Sequence, residues 1–249
     1  LPKRRRADRR PDRCRRRMNA DVIESERAPR AIRSFVLRAG RITRAQRRAL
    51  DELLPNWGIP YSPALIDLDR VFGRQAPRAL EIGFGDGATL VELATGSPGT
   101  DFIGVEVHPP GIGRCLLEIE ARGISNVRVI AHDAVEVLQS QIAPGSFDEV
   151  LLYFPDPWPK KRHHKRRIVQ PVFATLVASR LKPGGLLRLA TDWAPYAEWM
   201  LEVLDAEPAL ENVAGARRYV ERPDRGLTRF ENRGRRLGHQ VFDLEYRRR

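Results

Sequence analysis

Cysteine is nearly absent from this sequence of 249 residues. Cys14 and Cys115 are too few for a disulfide framework or a cysteine-based structural zinc set. No run reaches the roughly 20 uninterrupted apolar residues that a membrane helix needs. The basic N-terminus lacks the apolar stretch of a secretory signal. Acidic residues are outnumbered, 32 against 44 Lys and Arg, for a net charge of +12. With 42% hydrophobic residues the chain can still bury a core, which excludes a wholly disordered basic protein. A soluble cytoplasmic protein is expected, with a polyanionic partner to be sought in where the charge lies.

The charge is unevenly placed. Residues 1–20 hold 10 Lys or Arg and two Asp, so most of the net charge sits there. Such a segment cannot fold alone, and a disordered basic tail is expected over residues 1–32. It could bind nucleic acid through phosphate contacts or be a variable extension. Residues 33–249 are expected to form a single domain with an N-terminal helical extension.

In that extension Thr43 and Gln46 have capping-box spacing. Ala45, Ala49, Leu50, Leu53 and Leu54 form an apolar helical face that Pro55-Asn56-Trp57-Gly58 should end. From Arg78 onward short apolar runs alternate with helix-length segments. The runs are residues 79–83, 101–107, 126–130, 147–154 and 185–191, and helices fit 88–95, 110–121 and 168–180. Continuous apolar strands joined by helices predict an α/β fold with a doubly wound, mostly parallel sheet. Residues 240–246 alternate apolar and polar, which suits an edge or antiparallel strand closing a five-stranded core. Pro183-Gly184-Gly185 should be the turn before the fifth strand.

Chemistry-bearing residues gather at strand ends. Glu81-Ile-Gly83-Phe-Gly85-Asp-Gly87 closes the first strand with a glycine turn that lets backbone approach a ligand. Its spacing is GxGxG rather than GxGxxG, and Glu81 suits a ligand bearing a cationic or amino group. The loop is read as a site for S-adenosylmethionine, for NAD, or as a turn alone. Glu106 ends the second strand, where a carboxylate can accept from ribose hydroxyls. Asp133 follows the third and could accept from an adenine amine. Each alone could be a helix cap, but the three should converge on one crevice.

After the fourth strand comes Pro155-Asp156-Pro157-Trp158-Pro159, followed by six cations between Lys160 and Arg167. Three prolines in five residues stiffen the loop and fix Asp156 beside the crevice. The cations suit phosphates on a structured nucleic acid, or form a solvated helix face. Trp158 reads as a loop anchor or a base-stacking platform. His163 and His164 lack a matching Cys/His cluster for zinc and read as additions to the phosphate surface. Asp192 ends the fifth strand, and Thr228, Arg229, Phe230 and Glu231 combine polar groups with an aromatic.

Taken together, SFVLRAGRITRAQRRAL, ALEIGFGDG, GVEVHPPGIG, YFPDPWPKKRHHKRR, TDW and LTRFE resemble the bacterial tRNA (guanine-N7)-methyltransferases. The resemblance runs from about Arg33 to Arg248, and its most specific parts are PDPWPKKRHHKRR and TRFE. His108-Pro-Pro-Gly departs from the commoner Arg-Pro-Gly of the family. The resemblance implies a class I (Rossmann-like) S-adenosyl-L-methionine-dependent fold, without a metal, that methylates N7 of a guanosine in the variable region of tRNA. It implies cofactor contacts from Glu81, Gly83, Gly85, Glu106, Asp133 and Asp156, with Asp156 also the catalytic position. Lys160, Asp192, Thr228, Arg229, Phe230 and Glu231 are implied target-binding positions. A monomer is expected, with a dimer as the alternative and no obligate protein partner. The rivals are a methyltransferase acting on an exocyclic amine and a non-catalytic RNA-binding protein.

Overall fold

Thr43 starts the first helix of the computed structural model, which describes residues 32–36, 40–222, 231 and 240–249. The expected tail lies outside the described residues apart from Ile32. All the described elements belong to one compact unit, Ile32–Arg249. Thr43 accepts from the Gln46 backbone while the Gln46 side chain accepts from the Thr43 backbone, completing the capping box of α1 (Arg44–Arg48). Pro55 does not stop the helix. A π turn over Ala49–Leu53 intervenes, in which the Leu54 N–H donates to Ala49 O. Pro55 then falls in the first turn of α2 (Leu54–Trp57), where its missing N–H costs nothing. The helical stretch therefore ends at Gly58, the last residue of the expected Pro55–Gly58 stop. Ala49 and Leu53 are buried, whereas Ala45 of the expected apolar face is exposed.

The remaining elements alternate as the sequence pattern implies. α3 (Leu68–Phe72) precedes β1 (Arg78–Ile82), α4 (Ala88–Gly96), β2 (Asp101–Val105), α5 (Pro109–Arg122) and β3 (Val127–Ile130). Next come α6 (Ala134–Ser140), β4 (Phe147–Tyr153), α7 (Pro171–Arg180) and β5 (Leu181–Thr191). α8 (Ala194–Asp205), β6 (Leu210–Asn212) and β7 (Phe242–Arg248) follow. The sheet order is β3-β2-β1-β4-β5-β7-β6, with β1 to β5 parallel and β7 antiparallel to both neighbours. The seven strands exceed the expected six because the three-residue β6 carries too little pattern to read. β6, not β7, is the edge. Pro183-Gly184-Gly185 lies within the span of β5 as an irregularity. Phe147 pairs with Leu181 and Glu149 with Leu186, so the extra residues of β5 loop out between them.

Period-two alternation divides two cores. In β1 and β2, Leu80, Ile82, Ile103 and Val105 face α3, α6, α7 and α8, while Ala79 and Phe102 face the N-terminal helices, α4 and α5. Cys115 of α5 is a buried packing residue of the second core. Because β1 leads outward to β2 and β3, and β4 outward to β5, the chain reverses direction between β1 and β4. Parallel sheets open a crevice at the strand carboxyl ends at such a switch point.

Candidate active site

Three adjoining hollows occupy that crevice. The first, about 580 Å³, is lined by Glu81, Gly83, Gly85, Asp86, His108 and Tyr153, among others. The second, about 210 Å³, shares Gly83, Tyr153 and Phe154 with it and adds Glu106, His132 and Asp156. A third of about 150 Å³ holds Asp133 and shares Phe35, Val107 and His132 with the second. The structure thus brings Glu81, Gly83, Gly85, Glu106, Asp133 and Asp156 to one continuous cleft from the ends of β1, β2, β3 and β4.

Glu81 is 4% exposed, and its Oε2 has no hydrogen-bond partner among the described residues. Burial, then the Glu106 and Asp86 carboxylates, push its carboxyl up to about 8. A buried acid with an unmatched oxygen beside two more carboxylates fits a cationic ligand group. Gly83 and Gly85 take left-handed φ values of 70° and 60°, and nothing lies within 4 Å of where their Cβ atoms would stand. Bare backbone with open space above it is what a ligand's close approach requires. Glu106 is oriented by backbone: its Oε2 accepts from Gly85 N (2.9 Å) and its Oε1 from Val107 N (2.6 Å) and His108 N (3.0 Å). Asp133 caps α6, accepting from Val135 N at 2.9 Å, so the cap and cleft readings hold together.

The loop carrying Asp156 is latched from two sides. Trp158, at φ 45°, donates from Nε1 to Ser34 O at 3.0 Å, meets His163 edge-on at 5.7 Å, and lies under the Arg166 guanidinium. Its role is that of a loop anchor. Arg167 is the second latch and corrects the expected row of six surface cations. It is 3% exposed. Its Nε donates to Pro157 O at 3.0 Å, its other nitrogens reach Pro195 O and His164 Nε2, and its guanidinium covers the Tyr196 ring. Lys160, Lys161, Arg162 and Lys165 are exposed along the 3₁₀ turn Lys161–Arg166. The two histidines lie half-buried within this run. Desolvation and then the surrounding cations lower the pKa of His163, and His164 is engaged by Arg167.

The target-binding positions are less gathered. Lys160 precedes the 3₁₀ turn, and Asp192 follows β5, so both lie toward the same end of the sheet as Asp156. Thr228, Arg229 and Phe230 lie outside the described residues. Glu231 is 1% exposed and accepts from Arg222 Nε at 2.7 Å. Sequence reasoning missed Phe35, Tyr61, Tyr153, Phe154 and His132 as cleft-side residues. Tyr61 stacks on His132 at 3.6 Å, and His132 pairs with Glu136 at 2.5 Å. For His132, Tyr153 and Phe154 the only signal was aromatic or imidazole character next to a strand end, and Phe35 and Tyr61, which precede β1, carried none.

This fold and acidic cleft define a class I S-adenosylmethionine-dependent methyltransferase. Solved structures share the fold. The 16S rRNA methyltransferase KamB has a TM-score of 0.54 at 15% identity, covering 74% of this chain and 94% of that one. A 16S rRNA (adenine(1408)-N(1))-methyltransferase from Catenulisporales acidiphilia, solved with its cosubstrate, has a TM-score of 0.52 at 17% identity, covering 76% and 92%. The family described as "Putative methyltransferase" matches residues 75–244. A tRNA (guanine-N(7)-)-methyltransferase of Burkholderia vietnamiensis is 59% identical over 88% of this chain and 86% of its own length. One of Methylobacillus flagellatus is 54% identical over 92% and 97%. The chain belongs to the tRNA (guanine-N(7)-)-methyltransferase family.

Proposed function

We propose that this chain transfers a methyl group from S-adenosyl-L-methionine to N7 of a guanosine in the variable region of tRNA, giving N7-methylguanosine. The observation that carries the reading is the cleft itself. Carboxylates from four strand ends meet beside a doubly latched loop, with a cationic turn next in the chain. In this reading Glu81 takes the ammonium of the cofactor's amino-acid end, which matches its unpartnered buried oxygen. Gly83 and Gly85 let the backbone lie against the cofactor, Glu106 accepts from its ribose, and Asp133 accepts from its adenine amine. Bound there, the cofactor supplies a sulfonium methyl as the electrophile.

Guanine N7 has a lone pair and no proton at neutral pH, so attack does not need a general base. Asp156 instead accepts from guanine N1–H or the exocyclic amine. It orients N7 and balances the positive charge that grows on the ring. We assign Lys160, Asp192, Thr228, Arg229, Phe230 and Glu231 to the target nucleotide and its surroundings, and place the activity in the cytoplasm. The exposed cations of the 3₁₀ turn hold tRNA phosphates, where recognition rests on shape and charge. The test is to incubate purified protein with unmodified tRNA and labelled methyl donor, then map the product by nucleoside mass analysis and strand cleavage. N7-methylguanosine in the variable region is expected. A product methylated on an exocyclic amine, or cofactor-independent tRNA binding without transfer, would overturn the reading.

A further inference from the structure

Phe35 stands well before the family-matched residues 75–244, yet it lines the active cleft. It lines two hollows at once. One contains Glu106 and Asp156, the other Asp133 and Glu136, and Val107 and His132 are shared by both. This is the end of the cleft where the third-strand carboxylate stands. The hollow with Glu106 and Asp156 also has an apolar lining from Ile82, Val105 and Leu152. On the far side the His132 ring is fixed by its stack on Tyr61 and its bond to Glu136. Adjoining hollows lined by apolar residues, an aromatic residue and a carboxylate have the features that bind a purine ring. Residue 35 is held there by its neighbour. The Trp158 indole N–H, from the loop that bears Asp156, donates to Ser34 O across 124 positions of sequence.

We infer that Phe35 is the aromatic wall for the cofactor's adenine, and that the Trp158–Ser34 hydrogen bond ties this wall to the loop that positions the target base. The inference rests on the reading that the cleft takes S-adenosylmethionine. Filling the adenine slot then steadies residues 34 and 35, and through Trp158 the Asp156 loop. The cofactor-bound enzyme is thereby the form prepared for the guanosine.

The experiment measures equilibrium binding of S-adenosylmethionine and of 5′-methylthioadenosine, which keeps the adenosine but lacks the amino-acid end. It uses the full chain, its F35A and F35Y variants and W158F, each checked by thermal unfolding. F35A should weaken both ligands by the same factor, on the order of tenfold, the loss expected of one base–aromatic stack. F35Y should restore both. W158F keeps the ring but loses the donor, so it should weaken both ligands by a smaller factor and lower kcat for tRNA. If the parent chain binds neither ligand, the cofactor reading itself fails. If the parent binds both and F35A binds them equally well, the adenine wall is overturned. Unchanged ligand affinity and kcat in W158F would overturn the coupling alone.

Discussion

Glu81 makes a prediction whose size differs between the free and the cofactor-bound protein. Its folded-state carboxyl titrates near 8 instead of the ordinary 4.5, because burial and the nearby Glu106 and Asp86 charges oppose ionisation. Below about pH 4.5 the carboxyl is protonated in both folded and unfolded chains. Between about 4.5 and 8 only the folded chain keeps the proton, so stability falls as pH rises. The contribution is complete below the unfolded value and is lost as pH passes through the folded one. At about 1.36 kcal/mol per pH unit, the loss from pH 5 to pH 8 is roughly 4 kcal/mol. At roughly 2–4 °C per kcal/mol for a domain of this size, that corresponds to about 10 °C in Tm.

Glu81→Gln keeps the shape and removes the titration. Thermal unfolding of the cofactor-free protein should therefore show the variant gaining on the parent by about 10 °C between pH 5 and pH 8. With cofactor at 100 times its Kd the gap narrows. The parent gains about 2.7 kcal/mol from the ligand, whereas the variant, lacking an anion for the ammonium, gains little. Cofactor binding to the parent near neutral pH should also release a proton, measurable as a binding heat that depends on the buffer's ionisation enthalpy. A Tm difference that stays flat across pH, or a variant with parental affinity, would refute the assignment of Glu81 as a buried acid awaiting a cation.

Asp156→Asn should reduce single-turnover methyl transfer much more than cofactor affinity, and unchanged chemistry in that variant would remove Asp156 from the reaction. Neutralising Lys160, Lys161, Arg162 and Lys165 together should raise the KM for tRNA and flatten its dependence on salt, with Tm nearly unchanged. Arg167→Leu should behave in the opposite way. The Pro157 carbonyl loses a charged donor and Tyr196 its cation, so roughly 3 kcal/mol of stability and about 6–12 °C of Tm should be lost. An Arg167 variant with parental Tm and weakened tRNA binding would return that residue to the surface row.

The sheet was legible because β1 to β5 carry their own signal. Apolar runs such as residues 150–154 are continuous because both faces are covered, and glycines or caps punctuate them. The three-residue β6 has no room for a period, and the Pro183-Gly184-Gly185 irregularity has the composition of a turn even though pairing resumes around it. The Pro55-Asn56-Trp57-Gly58 stretch ends the helix as expected, but at Gly58 and not at Pro55. Composition shows that Pro55 cannot donate, whereas only the backbone shows that the π turn over Ala49–Leu53 places it where no donor is needed. Among site residues, Glu81, Glu106, Asp133 and Asp156 were visible as acids at strand ends, which the topology alone gathers. Phe35 was not, because its neighbour Ser34 is joined to the Asp156 loop through a hydrogen bond from a residue 124 positions further along the chain.

Charge in the 160–167 run shows most plainly what pattern omits. Lys160 and Arg167 look equivalent in sequence, yet one is exposed and the other is among the most buried cations of the described residues. The 3₁₀ turn separates them. Its first residues project to solvent, while the chain beyond it turns inward over Tyr196 toward α7. Arginine suits the inner position because its planar fork can reach Pro157 O, Pro195 O and His164 Nε2 together while its face covers a ring. Lysine would offer a point charge, unable to reach the two carbonyls and the imidazole at once. Arg167→Lys should therefore lose most of the stability that Arg167→Leu loses, despite keeping the charge. Lys160→Arg should be silent in Tm. If the two conservative exchanges instead had equal effects on stability, the inner and outer cations would be doing the same work, and the second latch on the Asp156 loop would not exist.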